Sequence, residues 1–135
     1  MLITSLTLLL LVACAQSSGP ASNKPSDWRQ YGKQEALVGY VKQTEQELAA
    51  AATVSVSNEI YSAYSDGYEQ GRAEYCMQDP KILGKKGELY RGICDELRPT
   101  FRTWYNNGKA RGAEALLSSK ASSTKKLSNV KPRAF

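Results

Sequence analysis

Three cysteines and no histidine occur among the 135 residues, and that imbalance bounds the chemistry. Without imidazole there is no Ser-His or Cys-His nucleophile, no common zinc ligand and no base ordinarily poised at neutral pH. Thiols and carboxylates remain. Cys76 and Cys94 lie 18 positions apart, and in an exported chain this even pair reads as a disulfide. A redox pair or two metal ligands are the alternatives, neither supported by CxxC spacing. A carboxylate pair for acid-base work would have to come from Asp66, Glu69 and Glu74 beside Arg72, or from Asp95 with Glu96. At helical spacing Glu69 and Arg72 read instead as a surface ion pair, and Asp95 with Glu96 as acidic residues ahead of a helix amino terminus. A histidine-free carboxylate hydrolase is therefore the lesser reading. No catalytic residue, cofactor or metal is expected.

The third cysteine closes the apolar opening MLITSLTLLLLVAC. The run from Thr7 to Ala13 is too short for a bilayer span, which needs about 20 apolar residues, and has the length of a secretory h-region. Leu11-Val12-Ala13-Cys14 resembles the lipobox of bacterial lipoproteins, with leucine three before the cysteine and a small residue just before it. That resemblance implies a signal peptide over residues 1–13, a thioether from Cys14 to diacylglycerol, and cleavage that leaves Cys14 first and acylated, for instance with palmitate. One acyl chain holds a protein only marginally, at about 0.8 kcal/mol per buried methylene, so two or three are needed for a lasting anchor. No Lys or Arg precedes the run, a departure from the usual positive n-region. Ala15, where aspartate would mark inner-membrane retention, implies sorting to the outer membrane. An ordinary signal peptide cut near Ala13, or a buried apolar helix, are the competing readings.

Residues 14–25 are rich in Ser, Pro and Gly and read as a flexible tether. A helical domain is expected over 26–117. Ser26 or Asp27 caps a first helix whose face runs Trp28, Tyr31, Val38, Val41, Leu48 and Ala52. Ser57 caps a second, with Ile60, Tyr64, Gly67, Gly71 and Tyr75 on one stripe. From Met77 to Leu97 turn residues interrupt the pattern, and Pro99 introduces a third helix carrying Phe101, Trp104, Tyr105, Gly108, Gly112, Ala115 and Leu116. The expected fold is all-α: a small bundle of about three helices with an irregular disulfide-closed loop between helices two and three. Such a clasp would contribute about 3 kcal/mol for a loop of this length.

The net charge of +5 sits in the tail. Residues 120–135 hold Lys120, Lys125, Lys126, Lys131 and Arg133 and no acid, while residues 1–119 carry 13 basic and 13 acidic groups. The balance is no argument for nucleic-acid binding by the domain, and a basic tail without a periodic face, residues 118–135, is expected to lack fixed structure.

Small residues recur four apart in Trp28-x3-Gly32-x3-Ala36, Ala63-x3-Gly67-x3-Gly71 and Trp104-x3-Gly108-x3-Gly112. A bare helix face lets a backbone or a large ring approach closely. Close packing is the first reading. The alternative is a small-ligand groove lined by Tyr64, Gly67, Gly71, Tyr75, Trp104, Tyr105, Gly108 and Gly112.

Asp27-Trp28-x3-Gly32, Tyr64-x2-Gly67-x3-Gly71 ending in Tyr75-Cys76, Gly84-x2-Gly87-x2-Tyr90-x-Gly92-Ile93-Cys94 and Phe101-x3-Tyr105-x2-Gly108 together resemble the YfiL-like bacterial lipoprotein family, catalogued as domain of unknown function 2799. The resemblance covers roughly residues 26–113 and implies an envelope lipoprotein of no established activity. The expected role is structural or protein-interacting at the periplasmic face of the outer membrane. The expected partners are the membrane through the lipid anchor, and an envelope protein, anionic lipid or cell-wall polymer.

Overall fold

The computed structural model describes residues 19–128, with side chains through 123. The expected signal peptide, Cys14 and residues 129–135 lie outside the described residues. Among the described residues there are five helices and no strand: α1 (Pro25–Leu37), α2 (Glu45–Ala51), α3 (Asn58–Tyr75), α4 (Pro80–Lys86) and α5 (Phe101–Ser128). The chain is all-α as expected, but with five helices rather than about three.

The additional helices have local causes. The apolar pattern from Trp28 to Ala52 reads as one helix, yet Gly39 adopts φ +78°, which a helix cannot pass through, and Val38 and Val41 end up exposed. Chain resumes as α2 because Thr44 and Glu47 form a reciprocal cap: the Thr44 hydroxyl accepts from Glu47 N–H at 3.2 Å, and the Glu47 carboxylate accepts from Thr44 N–H at 2.8 Å. Within the stretch expected to be irregular, Asp79 accepts from Lys81 N–H at 2.8 Å, Pro80 takes the first helical position, and Gly87 closes α4 at φ +75°. The Ser57 cap of α3 forms as expected, accepting from Ile60 N–H at 3.3 Å.

A further correction concerns the tail. α5 continues past residue 117 to Ser128, and residues 113–123 are exposed throughout. A missing periodic face excludes packing of this segment but does not exclude helix. Residues 113–128 contain neither Gly nor Pro and are rich in Ala, Leu, Lys and Ser, so local propensity permits the helix that packing does not hold.

α1 packs on α3, and α4 packs on α5. The first pair encloses Trp28, Leu48, Ile60 and Tyr64, with Tyr31, Val54, Val56 and Tyr61 against them. The second encloses Leu83, Tyr90, Ile93, Phe101 and Tyr105, into which the end of α3 inserts Tyr75 and Cys76. Each fully buried large apolar side chain contributes about 1.5–3 kcal/mol. The Cys76–Cys94 disulfide, with Cα atoms 5.5 Å apart, joins the end of α3 to the segment before α5. Two arginines brace the same junction. Arg72 donates to the Ile93 carbonyl at 2.6 Å, and Arg98 donates to the Cys76 and Gln78 carbonyls at 2.6 and 3.1 Å.

Candidate functional site

The residues expected to line a groove fall into two sets, one in each helix pair, and the glycines in both sets face backbone. A methyl group at Gly67 would collide with the Arg29 carbonyl, one at Gly71 with the Lys33 carbonyl, and one at Gly32 with the Tyr64 carbonyl. In the second pair Gly108 faces the Lys81 carbonyl, Gly112 the Lys85 carbonyl, and Gly84 the Tyr105 carbonyl. The correspondence is positional as well as spatial. Arg29-x2-Gly32-Lys33 pairs with Tyr64-x2-Gly67-x3-Gly71 as Lys81-x2-Gly84-Lys85 pairs with Tyr105-x2-Gly108-x3-Gly112.

The repeat is therefore a crossed pair of helices occurring twice, rather than one helical motif occurring three times. On the three-copy pattern α1 and α3 would be equivalents. They are partners, and the equivalent of α1 is α4. The glycine faces are filled by the partner backbone, so no open groove runs along them.

Tyr64, Tyr75 and Tyr105 are buried, and their hydroxyls are spoken for or enclosed. Tyr64 donates to Glu35 at 2.8 Å and accepts from Gln43 N–H at 3.0 Å. Tyr105 donates to the Glu88 carbonyl at 2.6 Å. Burial, first of all, pushes the Tyr64 phenol far above the usual tyrosine range; the Gln43 amide opposes this, and the Glu35 carboxylate adds to it. Tyr75 is likewise raised, mainly by burial.

Sequence reasoning passed over Glu35, the one buried acidic residue among those described. Its carboxylate accepts from Tyr31 and Tyr64 hydroxyls at 2.8 Å each and, through both oxygens, from the Gln43 side-chain amide at 2.9 Å. Tyr31 and Glu35 are four apart on α1, and that spacing was the available signal. The network ties the segment between α1 and α2 to α3, aided by Tyr68 donating to the Tyr40 carbonyl at 2.8 Å and Lys42 to Ser65 at 2.6 Å. Among the described residues, every buried side-chain nitrogen and oxygen has a partner.

The second pair repeats the device. Cys94 N–H donates to the Tyr90 hydroxyl at 3.0 Å, and that hydroxyl donates to Asp95 at 2.7 Å. Arg102 pairs with the same carboxylate. Partial burial works against ionisation of Asp95, but the Tyr90 hydroxyl and Arg102 outweigh it and hold the carboxyl below its usual value. The remaining carboxylates singled out from the sequence lie at the surface. Asp66 faces Arg29 at 3.6 Å, Glu74 faces Lys33 at 3.1 Å, Glu69 faces Lys42 and Arg72 at 3.2 and 3.1 Å, and Glu96 faces Arg72 at 2.7 Å. No two of these carboxylates are buried together. Among the described residues no group of three or more Cys, Asp and Glu is placed to hold a metal ion.

Trp104 departs from its expected companions. Its indole is 43% exposed, whereas that of Trp28 is fully buried. The Lys81 ammonium lies 4.1 Å from the centroid of the Trp104 ring system, and the two residues share a shallow cavity of about 370 Å³ with Met77, Pro80 and Arg98. Lys81 was missed because α4 was not expected as a helix, and only the packing of α4 on α5 carries it to Trp104; Arg98 was missed because its place depends on the Cys76 and Gln78 carbonyls about 20 residues away.

No curated protein and no solved structure matches the chain. The family described as Protein of unknown function (DUF2799) matches residues 27–110, from the first turn of α1 into α5; the clasp and every interlocking glycine except Gly112 fall within it, and the chain belongs to that family.

Proposed function

We propose that this chain is a lipoprotein of the periplasmic face of the outer membrane, with a structural or protein-interaction role and no catalytic activity. The observation that carries the reading is the stretch Leu11-Val12-Ala13-Cys14, placed a short tether ahead of a disulfide-clasped domain. The clasp supports export, because disulfides persist in oxidising compartments. The absence of catalysis is supported by how the reactive-looking groups are used. The surface carboxylates Asp66, Glu69, Glu74 and Glu96 face ion-pair partners, Glu35 and Asp95 hold tyrosine hydroxyls, and the paired helices meet backbone to backbone along their glycines. Such a body is suited to presenting a fixed surface to an envelope partner.

Metabolic labelling with palmitate, read on the full chain and on Cys14→Ala, tests the anchor. Label that depends on Cys14 and follows the outer-membrane fraction is the expected result, and unlabelled soluble protein overturns it. In-cell crosslinking with mass spectrometry tests the role: a recurrent envelope protein crosslinked to the domain is expected, and a domain without recurrent crosslinks overturns the interaction reading.

A further inference from the structure

The formally neutral body separates into two oppositely charged halves once the helix pairs are known. Residues 19–76, which contain α1 to α3, hold five basic and eight acidic groups, whereas residues 77–119 hold eight basic and five acidic. In the first half the bases are largely used: Arg29, Lys33, Lys42 and Arg72 all face carboxylates. In the second, Lys81, Lys85, Arg98, Lys109 and Arg111 have no ion-pair partner among the described residues.

Exposed apolar side chains follow the same division. Met77 is 83% exposed, and Ile82, Leu89, Leu97, Trp104, Leu116 and Leu117 are exposed on the basic half, against only Val38, Tyr40 and Val41 on the acidic one. Met77 and Trp104 stand together with Lys81 and Arg98 around one cavity, whose one carboxylate, Asp79, is engaged in capping α4 through the Lys81 N–H. An indole half in solvent, a neighbouring thioether, the Lys81 ammonium resting on the indole and the Arg98 guanidinium held beside them by the Cys76 and Gln78 carbonyls form the composition that settles at a headgroup interface, where the ring takes the apolar boundary and the cations take the phosphates. A surface bearing only cations would fit any polyanion. The apolar members at its centre, together with an acidic opposite half that an anionic surface repels, favour a lipid bilayer.

We infer that the α4–α5 side of the domain, centred on Met77, Lys81, Arg98 and Trp104, is a docking surface for anionic lipid headgroups. This orients the domain with α4 and α5 toward the bilayer and α1 and α3 away from it. The inference rests on the proposed lipid anchor for its geometry: ten residues lie between Cys14 and Pro25, and the 11 steps from one to the other reach at most about 40 Å, less the stretch from Gly19 to Ser22 that is held against Trp28. The domain is thereby kept within reach of the surface it docks on.

The test uses the full chain reconstituted in phosphatidylcholine vesicles with and without phosphatidylglycerol, the acyl chains brominated next to the headgroup. Trp28 is enclosed and serves as the unquenched reference, so quenching reports Trp104. Quenching that requires phosphatidylglycerol, is reversed by high salt, and is lost in Trp104→Phe is expected. Lys81→Glu with Lys85→Glu, two exposed changes on a short helix, should weaken the lipid-dependent quenching roughly tenfold or more while leaving thermal unfolding in place. Equal quenching in both vesicles, or none in either, overturns the inference. Perturbation of Trp104 by soluble polyglutamate but not by vesicles also overturns it, and assigns the face to an acidic protein. Palmitate labelling of Cys14 reads the anchor separately: labelled protein with a silent Trp104 overturns the docking surface alone, and unlabelled protein with a responsive Trp104 overturns the anchor alone.

Discussion

Gly67 lies so close to the carbonyl oxygen of Arg29 that the backbones of α3 and α1 leave no room for a methyl group between them. Gly67→Ala is therefore expected to destabilise the protein by about 1–3 kcal/mol or more, since relief requires separating two helices rather than moving a flexible side chain. The sign is diagnostic. At an open helix position the same change stabilises by about 1 kcal/mol through propensity alone. Gly108→Ala, against the Lys81 carbonyl, should behave alike in the second pair, and the two effects should add because the sites share no partner. Thermal or urea unfolding of both single variants and the double checks this, and a stabilised Gly67→Ala contradicts it.

Glu35 holds the second determinant of the first pair. Glu35→Ala removes the acceptor of the Tyr31 and Tyr64 hydroxyls and the nearer acceptor of the Gln43 amide, which keeps the Tyr31 hydroxyl at 3.3 Å, and leaves the buried Tyr64 donor without a partner at about 1–3 kcal/mol. Tyr64→Phe should cost less, about 1–2 kcal/mol, because it orphans chiefly the Gln43 backbone amide. Combining the two should be less damaging than the sum. A double-mutant cycle in urea measures the coupling, and strict additivity would show that the hydroxyl and carboxylate act independently.

How much of this was legible follows from the range of the interactions. Trp28, Ile60, Tyr64 and Phe101 are core residues that periodicity exposes directly, and the Ser57 cap and the Cys76–Cys94 pairing are read from residue type and parity. The glycines were legible as bare faces but not as to what covers them, because Gly84 lies outside any stripe until α4 is known to be a helix. The break at Gly39 was missed for a related reason: Val38 and Val41 keep the apolar rhythm while the backbone leaves the helix. Glu35 and the Lys81–Trp104 contact were illegible because both depend on side chains meeting across elements.

The disulfide should matter more to one half than to the other. Its loss, in Cys76→Ser with Cys94→Ser, removes a loop constraint estimated at about 3 kcal/mol for a separation of 18 residues. The second core takes both sulfurs into its centre, whereas the Trp28 cluster contains neither. Hydrogen exchange should accordingly lose protection first between Leu83 and Tyr105, with α1 and the first half of α3 retaining it. Uniform loss of protection across both pairs would mean that the two cores unfold as one unit.

Alkaline unfolding should be steep, because burial above all raises the phenols of Tyr64, Tyr68, Tyr75 and Tyr90. An unfolded tyrosine ionises near pH 10. A group whose folded value lies above that holds its proton more tightly when folded, so its contribution to stability is complete below about pH 10 and is lost as pH rises beyond it. The eight tyrosines should then divide in a titration followed by tyrosinate absorbance, the buried phenols ionising only together with the loss of helical circular dichroism. Tyr90→Phe should shift the alkaline transition to higher pH relative to its own neutral stability, since one proton fewer is released on unfolding. Ionisation of all eight phenols while the helices remain intact would contradict the enclosure of these rings.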